Sequence, residues 1–221
     1  MLTHNPSRAA GLSRLARLSS ELAEAGDELA DKRDRFARLK DPGSAPVVVS
    51  SFNLFQTPPG LAERMAELLD IEPGMSVLEP SAGLGRLYVA ARDQEPDAYF
   101  GLVDISPDCC NELRRISEGD GRTSVICHDF LSRVPASLGT FDRIIMNPPF
   151  KMGADILHIH HAIPFLKPGG RLVALCADGP KQNARLRPEI EGKGGTWETL
   201  PAGSFRSEGT NVDVALIVLD A

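Results

Sequence analysis

Apolar residues recur along this chain in two alternating rhythms, and each change of rhythm falls at a cluster of glycine, proline or acidic residues. Leu12, Leu15, Leu18 and Leu22 sit at helical spacing, and Leu29, Phe36 and Leu39 carry the stripe past Gly26. This predicts two helices, or one bent at Gly26. Asp41-Pro42-Gly43-Ser44-Ala45-Pro46 then breaks the pattern as a linker. Residues 1–46 are therefore expected to form a helical arm with its linker, and 47–221 the main domain. The arm's apolar stripe suits a homodimer contact, a target-binding arm or a cover packed on the domain, and its sequence does not choose among them.

From Val47 onward short apolar blocks alternate with amphipathic stretches. Thr57 is placed to cap a helix begun by Pro58, where a missing N–H costs nothing. Leu61, Met65, Leu68 and Leu69 give that helix one apolar face, and Glu72-Pro73-Gly74 ends it. Residues 75–78, 99–103, 123–127, 142–146 and 171–176 are brief apolar runs stopped by turn residues, as buried strands are. Helical stretches fall between them, at 87–92, from Ser106-Pro107 to about Ser117, and from Lys151 onward. Residues 197–205 and 211–219 form an expected antiparallel hairpin around the polar turn Arg206-Ser207-Glu208-Gly209-Thr210. Strands and helices in alternation predict an α/β fold with a mostly parallel sheet.

Composition narrows the class. At 221 residues, 42% of them hydrophobic, the chain suits one α/β domain with a modest appendage. No apolar run reaches the roughly 18 residues of a membrane span, and Met1-Leu2-Thr3-His4-Asn5-Pro6 does not read as a secretory signal. Cys109, Cys110, Cys127 and Cys176 lack paired metal spacing and a disulfide-scaffold pattern, which points to a reducing cytoplasm. The net charge of -6 argues mildly against a nucleic-acid partner. Its distribution changes that picture. Residues 47–121 hold 5 Lys/Arg against 13 Asp/Glu, whereas 122–210 hold 11 against 8, so the second half is mildly basic.

Candidate chemistry gathers at the strand ends. The first strand runs into Glu79-Pro80-Ser81-Ala82-Gly83-Leu84-Gly85-Arg86, a glycine-rich turn leading to a helix, the layout of a nucleotide site. No Gly-Lys-Ser/Thr follows, so it is not a triphosphate loop. A carboxylate at Glu79 repels pyrophosphate and suits a cationic ligand. Asp104 closes the next strand 25 residues later, where this architecture places an acceptor for ribose hydroxyls. Asp129 closes the third, beside Phe130, as an acceptor for an adenine amino group with an aromatic ring to pack on it. The fourth runs into Asn147-Pro148-Pro149-Phe150. Two prolines hold a stiff, extended turn. The Asn147 side chain and the proline carbonyls then offer acceptors to an NH2 group, and Phe150 offers a face for a flat ring.

Phe55-Gln56-Thr57-Pro58, the Glu79 to Gly85 loop, Asp104, Asp129-Phe130 and Asn147-Pro148-Pro149-Phe150 stand in an order that resembles class I S-adenosylmethionine-dependent methyltransferases. The similarity is to the amino-methyltransferase branch that includes adenine-N6 DNA methyltransferases, and it covers roughly residues 50–219. It implies a three-layer Rossmann-like fold with a seven-stranded, mostly parallel sheet and a C-terminal antiparallel hairpin. It implies S-adenosylmethionine as cofactor, held by Gln56, Thr57, Glu79, Pro80, Ser81, Ala82, Gly83, Gly85, Asp104, Ile105, Asp129, Phe130 and Asn147. Catalysis would fall to Asn147, Pro148, Pro149 and Phe150, with nucleic acid as substrate, DNA ranking ahead of RNA. A glutamine-amide substrate and a non-catalytic binder of the same fold also stay open.

Lys151, Lys181, Arg185 and Arg206 are candidate substrate contacts, against the plainer reading of solvated surface. His158 and His161 share a helical face without a third ligand nearby, so polar helix surface is expected there and no metal. Two residues follow Leu219, and no target-recognition domain is expected after it.

Overall fold

The computed structural model describes residues 55–221; the predicted arm and linker, with residues 47–54, lie outside the described residues. In chain order the elements are α1 (Pro59–Leu69), β1 (Ser76–Pro80), α2 (Arg86–Gln94), β2 (Tyr99–Asp104), α3 (Pro107–Ile116), β3 (Thr123–Cys127), α4 (Pro135–Leu138), β4 (Phe141–Met146), α5 (Ala154–Ala162), β5 (Leu166–Ala177), α6 (Pro180–Arg185), α7 (Arg187–Gly192), β6 (Thr196–Thr199) and β7 (Val214–Asp220). The strands form one sheet in the order β3-β2-β1-β4-β5-β7-β6. β1 to β5 run parallel, and β7 is antiparallel to both β5 and β6.

Strand periodicity explains the layers. Val77, Ile145, Val173, Leu175 and Leu216 face one side and pack with Ala62, Met65 and Leu69 of α1, Leu87 and Ala91 of α2 and Leu113 of α3. Leu78, Ile144, Met146, Leu172, Ala174 and Ile217, one residue out of phase, face the other side with Ile159 and Ala162 of α5, Phe165 and Ile190. Adjacent residues on a strand point to opposite faces. Strands apolar at every position therefore need helices on both faces, and each fully buried aliphatic side chain contributes roughly 1.5–3 kcal/mol.

α3 starts where predicted: Ser106 Oγ accepts from Cys109 N as its cap, Pro107 opens the helix, and Arg114 and Arg115 lie in its last turn. α1 starts one residue later than predicted. Pro58 is its N-cap and Pro59 its first residue, so Thr57 does not cap it. Leu166-Lys167-Pro168-Gly169-Gly170, which precede the strand expected at 171–176, are carried inside β5, with a register shift opposite Phe141 and Arg143. Gly169 takes φ 76, and a Cβ on Gly170 would lie 2.9 Å from the Lys167 carbonyl oxygen and 3.0 Å from that of Asp142. Only glycines let the strand bend there. The expected hairpin strands are shorter than predicted, because 201–213 form a loop with a 3-10 turn at Arg206–Glu208. Among the described residues no helix is long and apolar enough to cross a membrane.

Candidate active site

The chain winds outward from β1 through β2 to β3, then returns to place β4 on the other side of β1. Such a reversal opens a crevice at the carboxyl ends of the two central strands. The register Leu78↔Ile144 sets those ends level, so the turns after Pro80 and Met146 flank the crevice.

The glycine-rich turn is built from backbone that ordinary residues avoid. Ser81 takes φ 65 and Gly83 φ 57. Gly83 N donates to Asp104 Oδ2 at 2.8 Å, and Ser106 N donates to Oδ1 at 2.8 Å, so one carboxylate braces two loops. Each oxygen keeps a second lone pair for a ligand. Ser81 Oγ lies 3.1 Å from His158 Nδ1, a hydrogen bond between this turn and α5. His158 is buried, which corrects the expectation of a polar helix surface. Burial also pushes its pKa below the ordinary histidine value, against the pull of Asp129 and Asp155.

Glu79 is 2% exposed, and its Oε2 has no hydrogen-bond partner. Burial, with repulsion from Asp104, holds its pKa well above the ordinary value despite a backbone hydrogen bond from Tyr88. An orphaned buried carboxyl oxygen is expensive, and a ligand bringing a cationic or N–H group beside it removes that cost.

Asn147 has its orientation fixed. Its Nδ2 donates to the Phe55 carbonyl at 3.0 Å and to Thr57 Oγ1 at 3.1 Å. A carbonyl can only accept, so the amide nitrogen must be the end facing Phe55. Oδ1 is left as an acceptor with no described partner. Thr57, displaced from the helix cap, is buried and serves this bond. Phe150 is half-buried and stands edge-on to buried Phe205, ring centroids 6.2 Å apart.

A cleft of about 280 Å³ opens among these groups, lined by Phe55, Ser81, Asp104, Ile105, Asp129, Phe130, Asn147, Pro148, Pro149, Phe150 and His158. Beside it a narrower space of about 40 Å³ is lined by Gln56, Thr57, Glu79, Ala82, Gly83 and Arg86. Phe55, Ser81 and Asn147 line both. Ile105, 69% exposed, puts an apolar surface at the wide end. Phe130 reaches the cleft from the core, where it packs on His161 and Phe165.

Six predicted residues lie outside these linings. Pro80 is buried as the last residue of β1. Gly85, at φ 80, is the N-cap of α2, and a Cβ there would meet Ile116 Cδ1 at 2.5 Å; it serves packing against α3. Lys151, Lys181, Arg185 and Arg206 are exposed and outside both linings. Two residues take roles at the site that the sequence does not assign: His158, whose partner Ser81 is 77 positions away, and Arg86, which donates to the Thr57 carbonyl at 3.2 Å and pairs with Glu208 at 3.4 Å. Arg86 directly follows Gly85, the one sequence signal that would have marked it.

The methyltransferase small domain model matches residues 61–191. By sequence the chain is similar to U6 snRNA (guanine-N(2))-methyltransferase THUMPD2 of Mus musculus, 29% identical over 127 residues, 53% of this chain and 24% of that protein. It is also similar to the type II restriction enzyme and methyltransferase RM.BcgI of Heyndrickxia coagulans, 24% identical over 188 residues, 70% of this chain and 29% of that protein. The chain thus spans about a quarter of the length of the curated relatives it matches. TrmN from Thermus thermophilus superposes with a TM-score of 0.57 at 21% identity, covering 74% of this chain and 49% of that one. A dimethyladenosine transferase from Plasmodium falciparum gives 0.58 at 18% identity, covering 76% and 64%. These structural likenesses speak to the fold, which is that of class I methyltransferases. With its family model matched over more than half of its length, the chain belongs to the methyltransferase small domain family, whose cofactor is S-adenosylmethionine.

Proposed function

We propose that this chain methylates the exocyclic amino nitrogen of a nucleobase, adenine N6 in DNA. The observation that carries this reading is Asn147, whose amide nitrogen is tied to the Phe55 carbonyl and Thr57 Oγ1, leaving Oδ1 as an acceptor in a cleft that Pro148 and Phe150 also line. S-adenosylmethionine, when bound, supplies an electrophilic methyl group. The residues present fit it: Asp104 for the ribose hydroxyls, Ile105 and Asp129 for the adenine, and the orphaned Glu79 carboxyl for the cationic end.

The chain's own groups act on the target nitrogen. That nitrogen is a poor nucleophile because its lone pair is conjugated with the ring. Asn147 Oδ1 and the Pro148 carbonyl would each accept a hydrogen bond from the amino group, favouring a pyramidal nitrogen with its lone pair out of the ring plane, and the proton released on methylation would pass to water. Phe150 would hold the base by stacking. This is positioning and electrostatic stabilisation, with no covalent intermediate on the protein. DNA is placed first because RM.BcgI, named a restriction enzyme and methyltransferase, aligns over 188 residues. A second reading, guanine N2 of an RNA, draws on THUMPD2, which aligns over 127. An exocyclic NH2 on either base suits the same acceptors.

The test is transfer of a labelled methyl group to DNA, RNA and protein in parallel, with mass spectrometry of the digested nucleosides. N6-methyladenine from DNA is expected. Asn147→Ala should keep cofactor affinity and lose at least a hundredfold in kcat, as removal of a single oriented acceptor or donor does at other sites. Methyl on guanine of RNA would move the substrate to the second reading. Methyl on a glutamine amide would overturn the nucleobase reading, and cofactor binding without transfer to any polymer would overturn catalysis itself.

A further inference from the structure

Two short turns leave the cleft on the side of Phe150. One is the 3-10 turn Lys151–Gly153, which follows Phe150 directly; the other is the turn Arg206–Glu208, which follows Phe205. The edge-on contact of the Phe150 and Phe205 rings brings the two turns to the same rim. Met152 is 88% exposed, the most exposed large apolar side chain among the described residues. Its backbone is left-handed, at φ 58 and ψ 15. A left-handed backbone is strained at a non-glycine residue. With 88% of its surface exposed, Met152 has little packing among the described residues to offset that strain. Lys151 and Arg206 are exposed and form no ion pair with a described residue. Glu208, the acid closest to Arg206 in sequence, is engaged by Arg86. An otherwise acidic chain thus carries, on this side of the cleft, an exposed apolar side chain and two exposed cations that pair with no described acid.

We propose that Lys151, Met152 and Arg206 form a duplex-docking rim, with the two cations on phosphates and Met152 as a wedge that enters the base stack where the target adenine leaves it. Apolar side chains inserted between base steps unstack them, and a base must leave the helix to reach a cleft of this kind. The cations fix the register of the duplex on the rim and carry no sequence information themselves. This inference rests on the DNA reading above, and its test separates the two.

Native double-stranded DNA and the same DNA heat-denatured are offered to the full chain with labelled cofactor. Met152→Ala should lower transfer to the native duplex by about tenfold or more while transfer to denatured strands stays within about twofold, since only the duplex requires unstacking. Met152→Leu, which keeps an apolar wedge, should restore duplex transfer. Lys151→Ala with Arg206→Ala should flatten the dependence of log Kd on log salt by about two phosphate contacts. Equal loss on native and denatured DNA, no loss on either, or wild-type transfer to denatured strands alone would overturn the wedge and leave the function standing. Methyl found on RNA and not on DNA would overturn the DNA reading and this inference together.

Discussion

The acceptor at the centre of the proposed chemistry depends on a residue whose sequence position suggested a different job. Thr57 precedes a helix and looks like its cap, yet Pro58 takes that position and the Thr57 hydroxyl receives Asn147 Nδ2 at 3.1 Å. Thr57→Val keeps the side chain's shape and removes the acceptor, leaving a buried amide hydrogen unpaired at a cost of roughly 1–2 kcal/mol, about 5- to 30-fold in rate. Steady-state kinetics should show this in kcat, with the KM for S-adenosylmethionine little changed and Thr57→Ser close to wild type. A shift in that KM alone would mean that Thr57 serves the cofactor. Much of this site was legible in the sequence because strand ends are: a short apolar run that stops at an acid or asparagine says where its last side chain is placed. Glu79, Asp104, Asp129 and Asn147 all reach the cleft for that reason. His158 was not legible, since its role comes from a hydrogen bond to a residue on another layer, and a histidine on a helix carries no mark of its partner.

Glycine positions divide the site from its support at the scale of elements. Gly83 is part of the cleft lining and gives its N–H to Asp104. Gly85, expected to contact the cofactor, stands where α2 meets α3: a Cβ would lie 2.5 Å from Ile116 Cδ1 and 2.9 Å from Leu113 Cδ2, on a backbone at φ 80. Gly85→Ala should therefore destabilise the fold by roughly 2–4 kcal/mol through strain and overpacking. Urea unfolding would measure it as a lower midpoint. Unchanged stability with a large loss of cofactor affinity would return Gly85 to the ligand. The same contrast explains which elements sequence reasoning located well. β3 matched its predicted bounds, and β1, β2 and β4 came within one or two residues, because period and turn residues agree there. The stretch before Arg171 reads as a turn because Pro168-Gly169-Gly170 carries turn residues, while pairing of Leu166 with Phe141 keeps it in the sheet. The β6–β7 connection reads as strand because it carries apolar Phe205, which the structure buries from a loop.

Over the whole molecule the two ends of the sheet differ in kind. The carboxyl ends hold an orphaned Glu79 oxygen, Ser81 and Met152 in left-handed backbone, and the open cleft; at the amino ends the left-handed residue is Asp70, which caps α1 and whose carbonyl accepts from Arg143 Nε. Strain and unpaired polar groups persist at such sites only where the rest of the fold fixes them. The amino ends supply that fixation through ion pairs and hydrogen bonds that join neighbouring strands. Asp142 of β4 accepts from Ser76 N at 2.8 Å and Ser76 Oγ at 2.6 Å in β1, and from Lys167 Nζ at 2.7 Å in β5. Arg171 of β5 pairs with Asp220 of β7 at 2.7 Å. Burial alone would raise the Asp142 pKa, but Lys167 and the two Ser76 donors outweigh it and hold the carboxyl at about 2. A depressed acid binds fewer protons folded than unfolded, so its stabilisation is present above the ordinary aspartate value of 3.8 and is lost as pH falls from there towards 2. Asp142→Asn should cost roughly 1–2 kcal/mol at pH 7, allowing for solvent screening of a partly exposed pair. Denaturant unfolding of both proteins from pH 7 to pH 2 should show the gap closing below pH 4, as the wild-type carboxyl takes up its proton. A gap that stays constant down to pH 2 would assign the effect to packing, and the brace of β1, β4 and β5 would then not be electrostatic.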